Sequence, residues 1–289
     1  MSSQPFPYQQ QEHEQSVEAW RRGRLQRLTA PDSWLSLIGR FPLAEGTSRV
    51  GNAEDADIAL PADRAPATVG RFERRGAQVL FTPAAGVVMT LHGRGGSQEL
   101  TPGTPTEVHT DQDGPIEKLA LGDVTLEVTE QPAGMFVRVR DPESPARRGF
   151  GGIEHYPVSA KWRIVARLER HEPPRIVELD YDGGATERAE SPGTAVFEID
   201  GVTHRVDPVY LPDRKRLYLV FRDETARDTT YGAGRFLYAP LPEGEHVLLD
   251  FNQAFSPPCA FTPYSACPLT PLQNRLRVRI EAGEMSRHD

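Results

Sequence analysis

The sequence has few cysteines and no long apolar run. Two cysteines in 289 residues cannot form a disulfide framework, which excludes the small disulfide-rich secreted folds. The apolar runs are a few residues long, far short of the roughly 20 that a membrane helix needs, so we expect no membrane association. The opening segment MSSQPFPYQQQEHEQ has neither a basic start nor an apolar core. We therefore expect no secretory signal and a cytoplasmic location.

Lysine is also scarce, with 3 Lys against 30 Arg among the 33 basic residues. The net charge of −8 makes nucleic acid an unexpected partner, because the phosphate backbone attracts basic proteins. The guanidinium group of arginine binds carboxylate and phosphate groups through two parallel hydrogen bonds. With so many arginines, however, no single one indicates a site by its presence alone.

Proline and glycine are abundant, and their number favours short elements joined by turns over long helices. The chain has 26 Pro and 25 Gly, well above the roughly 12% that the two make up in average proteins. The best helix candidate is residues 13–29, where Val17, Trp20, Leu25 and Leu28 recur at helical spacing. From residue 33 onward, short apolar segments alternate with turn residues, which is typical of antiparallel sheets.

The strand predictions include segments in both halves of the chain. Residues 34–38 and 162–168 are apolar or alternating, and residues 275–282 (RLRVRIEA) alternate with Leu276, Val278 and Ile280 on the inward face. Together the pattern predicts an all-β protein with an N-terminal helix followed by two β-sandwich or barrel subdomains.

Composition also indicates where the chain divides. We predict an N-terminal tail and helix over residues 1–32 and a first β-sandwich over residues 33–140. The segment DPESPARRGFGG, residues 141–152, is rich in Pro, Gly and Arg and is typical of a connection. A C-terminal β subdomain then occupies residues 153–289.

The first half resembles a degenerate forkhead-associated domain. The resemblance covers about residues 36–140 and rests on GRFPLAEGTSRVG (39–51), ADIALP (56–61), VGRFERRGAQVLF (69–81) and LALGDVTLEV (119–128). It implies a β-sandwich that binds phosphothreonine peptides, with Arg49 at the position of a phosphate-binding arginine. The Ser-x-x-His element of that family is replaced here by Pro66-Ala67-Thr68-Val69. Phosphopeptide binding therefore ranks behind the other functions considered below.

A second resemblance is to the family known as domain of unknown function 1684, found in bacteria and archaea. We expect it to extend from about residue 14 to residue 284, beginning with Trp20, Arg21, Trp34, Leu35 and Leu37. Its specific part is C-terminal and consists of Phe221-x-Asp223-x-Thr225, Thr230-Tyr231-x-x-Gly234-Arg235, Leu249-Asp250-Phe251-Asn252-x-Ala254, Pro257-Pro258-Cys259-Ala260-Phe261, Cys267-Pro268, Asn274-x-Leu276 and Ile280-x-Ala282-Gly283-Glu284. The resemblance implies an architecture and no particular reaction.

This C-terminal segment also holds the candidate site. Asp250 and Asn252 are two residues apart on an extended segment, so their side chains point to the same face. The ligand-binding candidates are Asp223, Thr225, Tyr231, Arg235, Asp250, Asn252, Asn274 and Glu284. Such a group can bind a polar ligand or carry acid/base chemistry. Equally, Asp and Asn before turns often cap backbone groups, and Asp–Arg pairs often hold loops in place.

Cys259 and Cys267 form a thiol pair in the proline-rich loop PPCAFTPYSACP. Zinc sites use cysteines two to four residues apart with further Cys or His ligands, and no histidine lies close by in the sequence. We therefore predict no metal site and expect neighbouring thiols, because a cytosolic location disfavours a disulfide. No cofactor motif is present, so the sequence leaves the cofactor unknown.

Three functions remain open. The first is a non-catalytic ligand-binding or interaction protein, taking a small molecule or a protein partner on its C-terminal β subdomain. The second is a hydrolase- or lyase-type enzyme that uses Asp223, Asp250 and Arg235, with or without a metal. The third is phosphopeptide binding through Arg49. If the candidate residues meet in one open cleft, a ligand or enzyme site is favoured. If their side-chain oxygens all accept hydrogen bonds from the protein itself, a structural role is favoured.

Overall fold

The computed structural model describes residues 6–93, 95–131, 133–181 and 184–286. The first five residues of the predicted N-terminal tail lie outside the described residues. The chain splits into two compact units, which we call the first unit (residues 28–150 and 262–265) and the second unit (residues 1–27, 151–261 and 266–289). The predicted connection, residues 141–152, contains the change from one unit to the other.

The first unit consists of two packed sheets. Its strands are β1 (Leu37–Pro42), β2 (Gly46–Gly51), β3 (Ile58–Ala59), β4 (Gly70–Arg75), β5 (Gln78–Pro83), β6 (Thr90–Gly93), β7 (Gly96–Glu99), β8 (Thr106–Glu107), β9 (Lys118–Leu121), β10 (Val124–Gln131) and β11 (Gly134–Arg140). They form a sheet of order β1-β11-β10-β9-β6-β7 and a sheet of order β3-β2-β4-β5-β8. Inward residues of both sheets, such as Phe72, Phe81, Leu119 and Leu126, share one core. This is the sandwich that the sequence predicts.

The second unit also consists of two sheets. Its strands are β12 (Arg163–Asp180), β13 (Thr186–Ile199), β14 (Val202–Val206), β15 (Val209–Leu211), β16 (Arg216–Phe221), β17 (Arg235–Ala239) and β18 (His246–Asp250). The sheet orders are β14-β13-β12-β18 and β15-β16-β17. Phe197, Phe221 and Phe251 lie in the core that the two sheets share. The chain is thus mostly β with one long N-terminal helix, which confirms the predicted fold class.

Helices are few in the described residues. The α-helices are α1 (Gln10–Leu28) and the short α2 (Pro145–Arg148). Single 3-10 turns occur at Trp34–Ser36, Ala160–Trp162, Pro212–Arg214, Glu224–Arg227, Phe251–Gln253, Pro258–Ala260 and Leu272–Asn274. Within the described residues, no helix combines the length and the apolar character needed to cross a membrane.

Residues 10–27 of α1 belong to the second unit, and polar contacts hold them there. Val17 is fully buried, as the helical spacing predicts, whereas Leu25 is 39% exposed. Arg21 Nη2 donates to the carbonyl oxygen of Tyr156 over 2.7 Å. Hydrogen bonds to backbone carbonyls fix the rotation of the helix as well as its position.

Two strand predictions are wrong. Residues 34–38 begin as a 3-10 turn, and the strand starts only at Leu37. Residues 275–282 do not form a regular strand. Leu276 N donates to Arg222 O and Val278 O accepts from Glu224 N, but at Ile280 side chains replace the backbone partners: Ile280 N donates to Asp223 Oδ2 over 2.7 Å, and Ile280 O accepts from Arg235. The alternation nevertheless predicted burial correctly, since Leu276 and Ile280 are buried.

Candidate functional site

Asp223 and Arg235 form a buried ion pair in the second unit. Asp223 follows β16 and Arg235 begins β17, and the Arg235 Nη2 to Asp223 Oδ1 distance is 3.0 Å. The other carboxylate oxygen accepts from the hydroxyl of Thr225 at 2.7 Å and from Ile280 N. Arg235 also donates to the carbonyl oxygens of Ile280 and Ala282. Both charged side chains are at most 1% exposed, and both carboxylate oxygens accept hydrogen bonds from other described residues of the chain.

Asp250 and Asn252 hold a second set of contacts. Asp250 ends β18, and its Oδ2 lies 2.8 Å from His13 Nε2 on α1. Its Oδ1 accepts from the side-chain amide of Asn252 at 2.8 Å. Asn252 in turn bonds both backbone groups of Ser159, accepting from its N–H and donating to its carbonyl, each at 2.9 Å. The two side chains thus fasten α1 and the start of β12 to the end of β18.

Asn274 also bonds both backbone groups of one residue through its side-chain amide, on another segment of the chain. Its Oδ1 accepts from Asp207 N at 2.8 Å, while its Nδ2 donates to the carbonyl oxygens of Asp207 at 3.2 Å and Val220 at 3.0 Å. An amide that bonds both the N–H and the C=O of one residue replaces the pairing that a neighbouring strand would supply. Asn274 therefore joins the segment after β14 to the end of β16.

Glu284 is fully buried and binds the helix. Its Oε1 accepts from Arg24 Nε on α1 at 2.9 Å, and its Oε2 accepts from Ser256 N at 2.8 Å. Arg24 also donates to Ser256 O at 2.9 Å, and its guanidinium lies 4.9 Å from the Phe255 ring centroid. A buried carboxylate of this kind is stable because a paired guanidinium balances its charge.

Tyr231 and the two cysteines lie in the same proline-rich region. Tyr231 donates from its hydroxyl to Cys259 O at 3.1 Å, and burial raises the pKa of Tyr231 above its ordinary value. Cys259 N donates to Cys267 Sγ at 3.3 Å, and the two cysteines are not joined by a disulfide. In the described part of the chain, no group of three or more His, Cys, Asp or Glu residues is arranged to hold a metal ion.

Arg49 lies in the first unit and is paired with acids. Its guanidinium bonds the Asp55 carboxylate, and its backbone N–H donates to Asp57 Oδ2 at 2.7 Å. Hydrogen bonding to Asp55 raises the pKa of Arg49. An incoming phosphate would therefore meet two carboxylates beside the arginine, which repel it. Phosphopeptide binding through Arg49 stays a prediction.

The candidate residues therefore form several separate networks rather than one. Asp223, Thr225 and Arg235 meet each other, whereas Asp250 with Asn252, Glu284 and Asn274 each bind different backbone segments. For acid or base chemistry a substrate must contact the reacting carboxylate. Asp223 is 2% exposed and Glu284 is fully buried, so neither presents an oxygen to solvent.

His155 lies near Glu284 and gives the second unit a dependence on pH. Burial, with the nearby charge of Arg21 as a second cause, lowers the pKa of His155. As the pH falls below about 6.5, an unfolded chain binds a proton at this histidine that the folded chain does not yet bind. Stability is thus lost as the pH falls from neutral toward the folded-state pKa.

We expect His155→Gln to reduce this loss. The free energy of unfolding, measured by urea titration at pH 7.5 and pH 5.5, should fall less in the variant than in the wild type, because glutamine has no proton to gain. An equal fall in both proteins would show that His155 does not titrate differently on folding.

A pocket of about 290 Å³ lies in the second unit, and none of the predicted residues lines it, although its lining residue Gln253 follows Asn252 and donates to Asp250 Oδ2 at 3.4 Å. Its polar and aromatic lining comprises Trp20, Arg214, Lys215, Arg216, Tyr238 and Gln253. The three cations follow one another where the turn after β15 leads into β16: Arg214 ends a 3-10 turn, Lys215 adopts a left-handed conformation with φ of +46°, and Arg216 begins β16. The sequence-based search missed them, although three consecutive basic residues in a turn were visible.

The cations of this pocket are directed at an aromatic ring. Arg214 Nη1 donates to the Tyr238 hydroxyl at 2.9 Å, and the guanidinium carbons of Arg214 and Arg216 each lie 5.3 Å from the Tyr238 ring centroid. Within the described residues, none of the three cations pairs with a carboxylate. The Tyr238 ring rests on Phe255, at a centroid distance of 5.3 Å, so a rigid base supports it.

Comparison with known proteins identifies the C-terminal part of the chain. Residues 148–285 match the family described as "protein of unknown function (DUF1684)". The match begins at residue 148, so the resemblance expected from about residue 14 is confirmed only over this shorter range. No curated protein matches the chain.

Two solved structures are similar to parts of the chain. The first is an uncharacterised protein of Haloarcula marismortui, 30% identical, covering 50% of this chain and 83% of its own, with a TM-score of 0.42. The second is the forkhead-associated domain of FhaA in complex with the intracellular domain of Rv3910. It is 18% identical and covers 35% of this chain and 86% of its own, with a TM-score of 0.21.

Proposed function

We propose that the part of the chain belonging to the DUF1684 family, residues 148–285, together with α1, forms a binding module for a small anionic ligand. The observation that carries this proposal is the pocket in which Arg214, Lys215 and Arg216 lie beside Trp20 and Tyr238. The module acts without catalysis and in the cytoplasm. The residues predicted from the sequence serve as its framework.

The charge of the pocket selects the ligand class. Arginine guanidinium groups bind planar carboxylates and phosphates through paired hydrogen bonds. Cations stacked against an aromatic ring keep their charge available to a ligand on the other side. A pocket of this volume, about 290 Å³, suits a small molecule rather than a folded partner.

The aromatic side chains select for a flat group on the same ligand. Trp20 and Tyr238 both line the pocket, and each packs on Phe255. Rings held in place in this way lose little conformational entropy when a flat molecule stacks on them. The ligand that fits both properties is a phosphorylated or carboxylated molecule with a planar ring.

A titration of ADP, pyrophosphate and uncharged adenosine into the protein tests this proposal. We expect ADP and pyrophosphate to bind and adenosine to bind much more weakly. In the double variant Arg214→Gln/Arg216→Gln, ADP affinity should fall at least roughly 10- to 100-fold, since even one lost hydrogen bond to a charged group costs about 1.5–3 kcal/mol.

Arg188→Gln provides the matched control, because Arg188 is an exposed arginine of β13 outside the pocket lining. Its replacement removes a positive charge, as the pocket substitutions do, but at a position outside the pocket. If Arg188→Gln weakens ADP as much as a single substitution at Arg216, the binding reflects net charge alone. A failure of both anions to bind would also contradict the proposal.

A further inference from the structure

Cys259 and Cys267 are close enough to react with each other. The backbone N–H of Cys259 donates to Cys267 Sγ over 3.3 Å. Because the N–Cα bond is about 1.46 Å long, the Cys267 sulfur lies no more than about 4.8 Å from the Cys259 Cα. The Cys259 sulfur is two bonds from that Cα, so both sulfurs lie in one local cluster and a change of side-chain rotamer is the movement that pairing them requires.

The two cysteines differ in accessibility. Cys267 is buried at 8% exposure and packs with Val220, Phe236 and Phe255, whereas Cys259 is only half-buried. The N–H of Cys259 donates to the Cys267 sulfur, so the two residues are held side by side. An oxidant from solvent therefore meets Cys259 first, while Cys267 lies beside it.

We propose that Cys259 and Cys267 are a reversible redox pair that forms an intramolecular disulfide on exposure to hydrogen peroxide. The Cys259 thiolate attacks the peroxide, so that an S–O bond forms, the O–O bond breaks, and water leaves after protonation. The Cys267 thiolate then attacks the sulfur of this sulfenic acid, so that the S–S bond forms, the S–O bond breaks and a second water leaves. Two thiols are oxidised by two electrons and one peroxide is reduced.

The disulfide closes a ring that includes a segment of the first unit. Residues 262–265 group with that unit, and the Thr262 hydroxyl donates to Leu37 O at 3.1 Å. The chain leaves the second unit after residue 261 and returns at residue 266. Oxidation thus restricts the segment between the two cysteines, residues 260–266, and a dithiol reductant releases it.

Intact mass spectrometry of the full chain after treatment with hydrogen peroxide tests this pair. The chain has only 2 Cys, so an intramolecular disulfide can have only one connectivity. We expect a loss of about 2 Da that dithiothreitol reverses, with no increase in dimer. In Cys267→Ser, we expect a gain of about 16 Da at Cys259, trapped by dimedone, because the second thiol is missing. In the converse variant Cys259→Ser, the buried Cys267 should react at least 10-fold more slowly.

Other products would overturn the proposal. A disulfide-linked dimer would show that the sulfurs react between molecules instead. A gain of about 32 Da in the wild type would show that Cys259 passes to the sulfinic acid before Cys267 can reach it. Equal oxidation rates in the two single variants would contradict the assigned order. Peroxide-treated protein that retains two alkylatable thiols would exclude the pair altogether.

Discussion

Replacing Asp223 by alanine is expected to cost about 3–5 kcal/mol of the free energy of unfolding, the usual penalty for removing one partner of a buried ion pair. The Arg235 guanidinium would keep its charge at full burial with only hydroxyl and carbonyl partners. The N–H of Ile280 would lose its acceptor in the same step. We therefore expect the second unit to unfold at far lower urea concentration.

Urea titrations of Asp223→Ala and of Asp228→Ala measure this effect against a matched control. Asp228 pairs with Arg279 at 3.0 Å on the exposed surface, so its removal should leave the unfolding curve nearly unchanged. The double variant Asp223→Leu/Arg235→Met should recover part of the loss, because no unpaired charge remains buried. If Asp223→Ala instead keeps its stability and loses ADP binding, the carboxylate belongs to a ligand site and the framework role is wrong.

Asp223 and Arg216 show which parts of the site the sequence could predict and which it could not. Asp before a turn is typical of both caps and ligand sites, and only the hydrogen-bond partners distinguish them. Asp223 accepts from Thr225, two residues away, which the sequence suggests, but also from Ile280, 57 residues away. Arg216 was visible in the sequence only as one of three consecutive basic residues, and its place in the pocket depends on Tyr238 on the neighbouring strand and Trp20 on α1.

The segment 275–282 shows that long-range partners, which a local sequence pattern does not reveal, also decide the secondary structure. Alternation fixes which side chains are buried, and Leu276 and Ile280 are indeed buried. Strand formation additionally requires a neighbouring backbone, and alternation carries no information about that neighbour. Here the backbone of residues 222–224 pairs with Leu276 and Val278, and at Ile280 the side chains of Asp223 and Arg235 end that pairing. A local pattern therefore predicted burial, while long-range polar contacts decided the secondary structure.

Gly283 is a position where a single added methyl group is expected to have a large effect. Its φ is +76°, in the left-handed region, and a Cβ there would overlap the Ala254 carbonyl oxygen and lie 2.9 Å from Phe251 O. Neither oxygen can easily move, because Ala254 O accepts from Glu284 N and Phe251 O accepts from Ala254 N. Conformational strain of about 1–2 kcal/mol and overpacking of about 1–3 kcal/mol both oppose alanine. We expect Gly283→Ala to lose about 2–5 kcal/mol of stability.

Gly201→Ala separates these two contributions. Gly201 has nearly the same φ, +78°, but a Cβ there meets no atom within 4 Å. It should therefore lose only the strain of about 1–2 kcal/mol. Parallel urea titrations of the two variants give the overpacking contribution as their difference. Equal losses would mean that the backbone around Ala254 yields to the added methyl group, in which case the network that joins Glu284 to α1 is less rigid than its hydrogen bonds indicate.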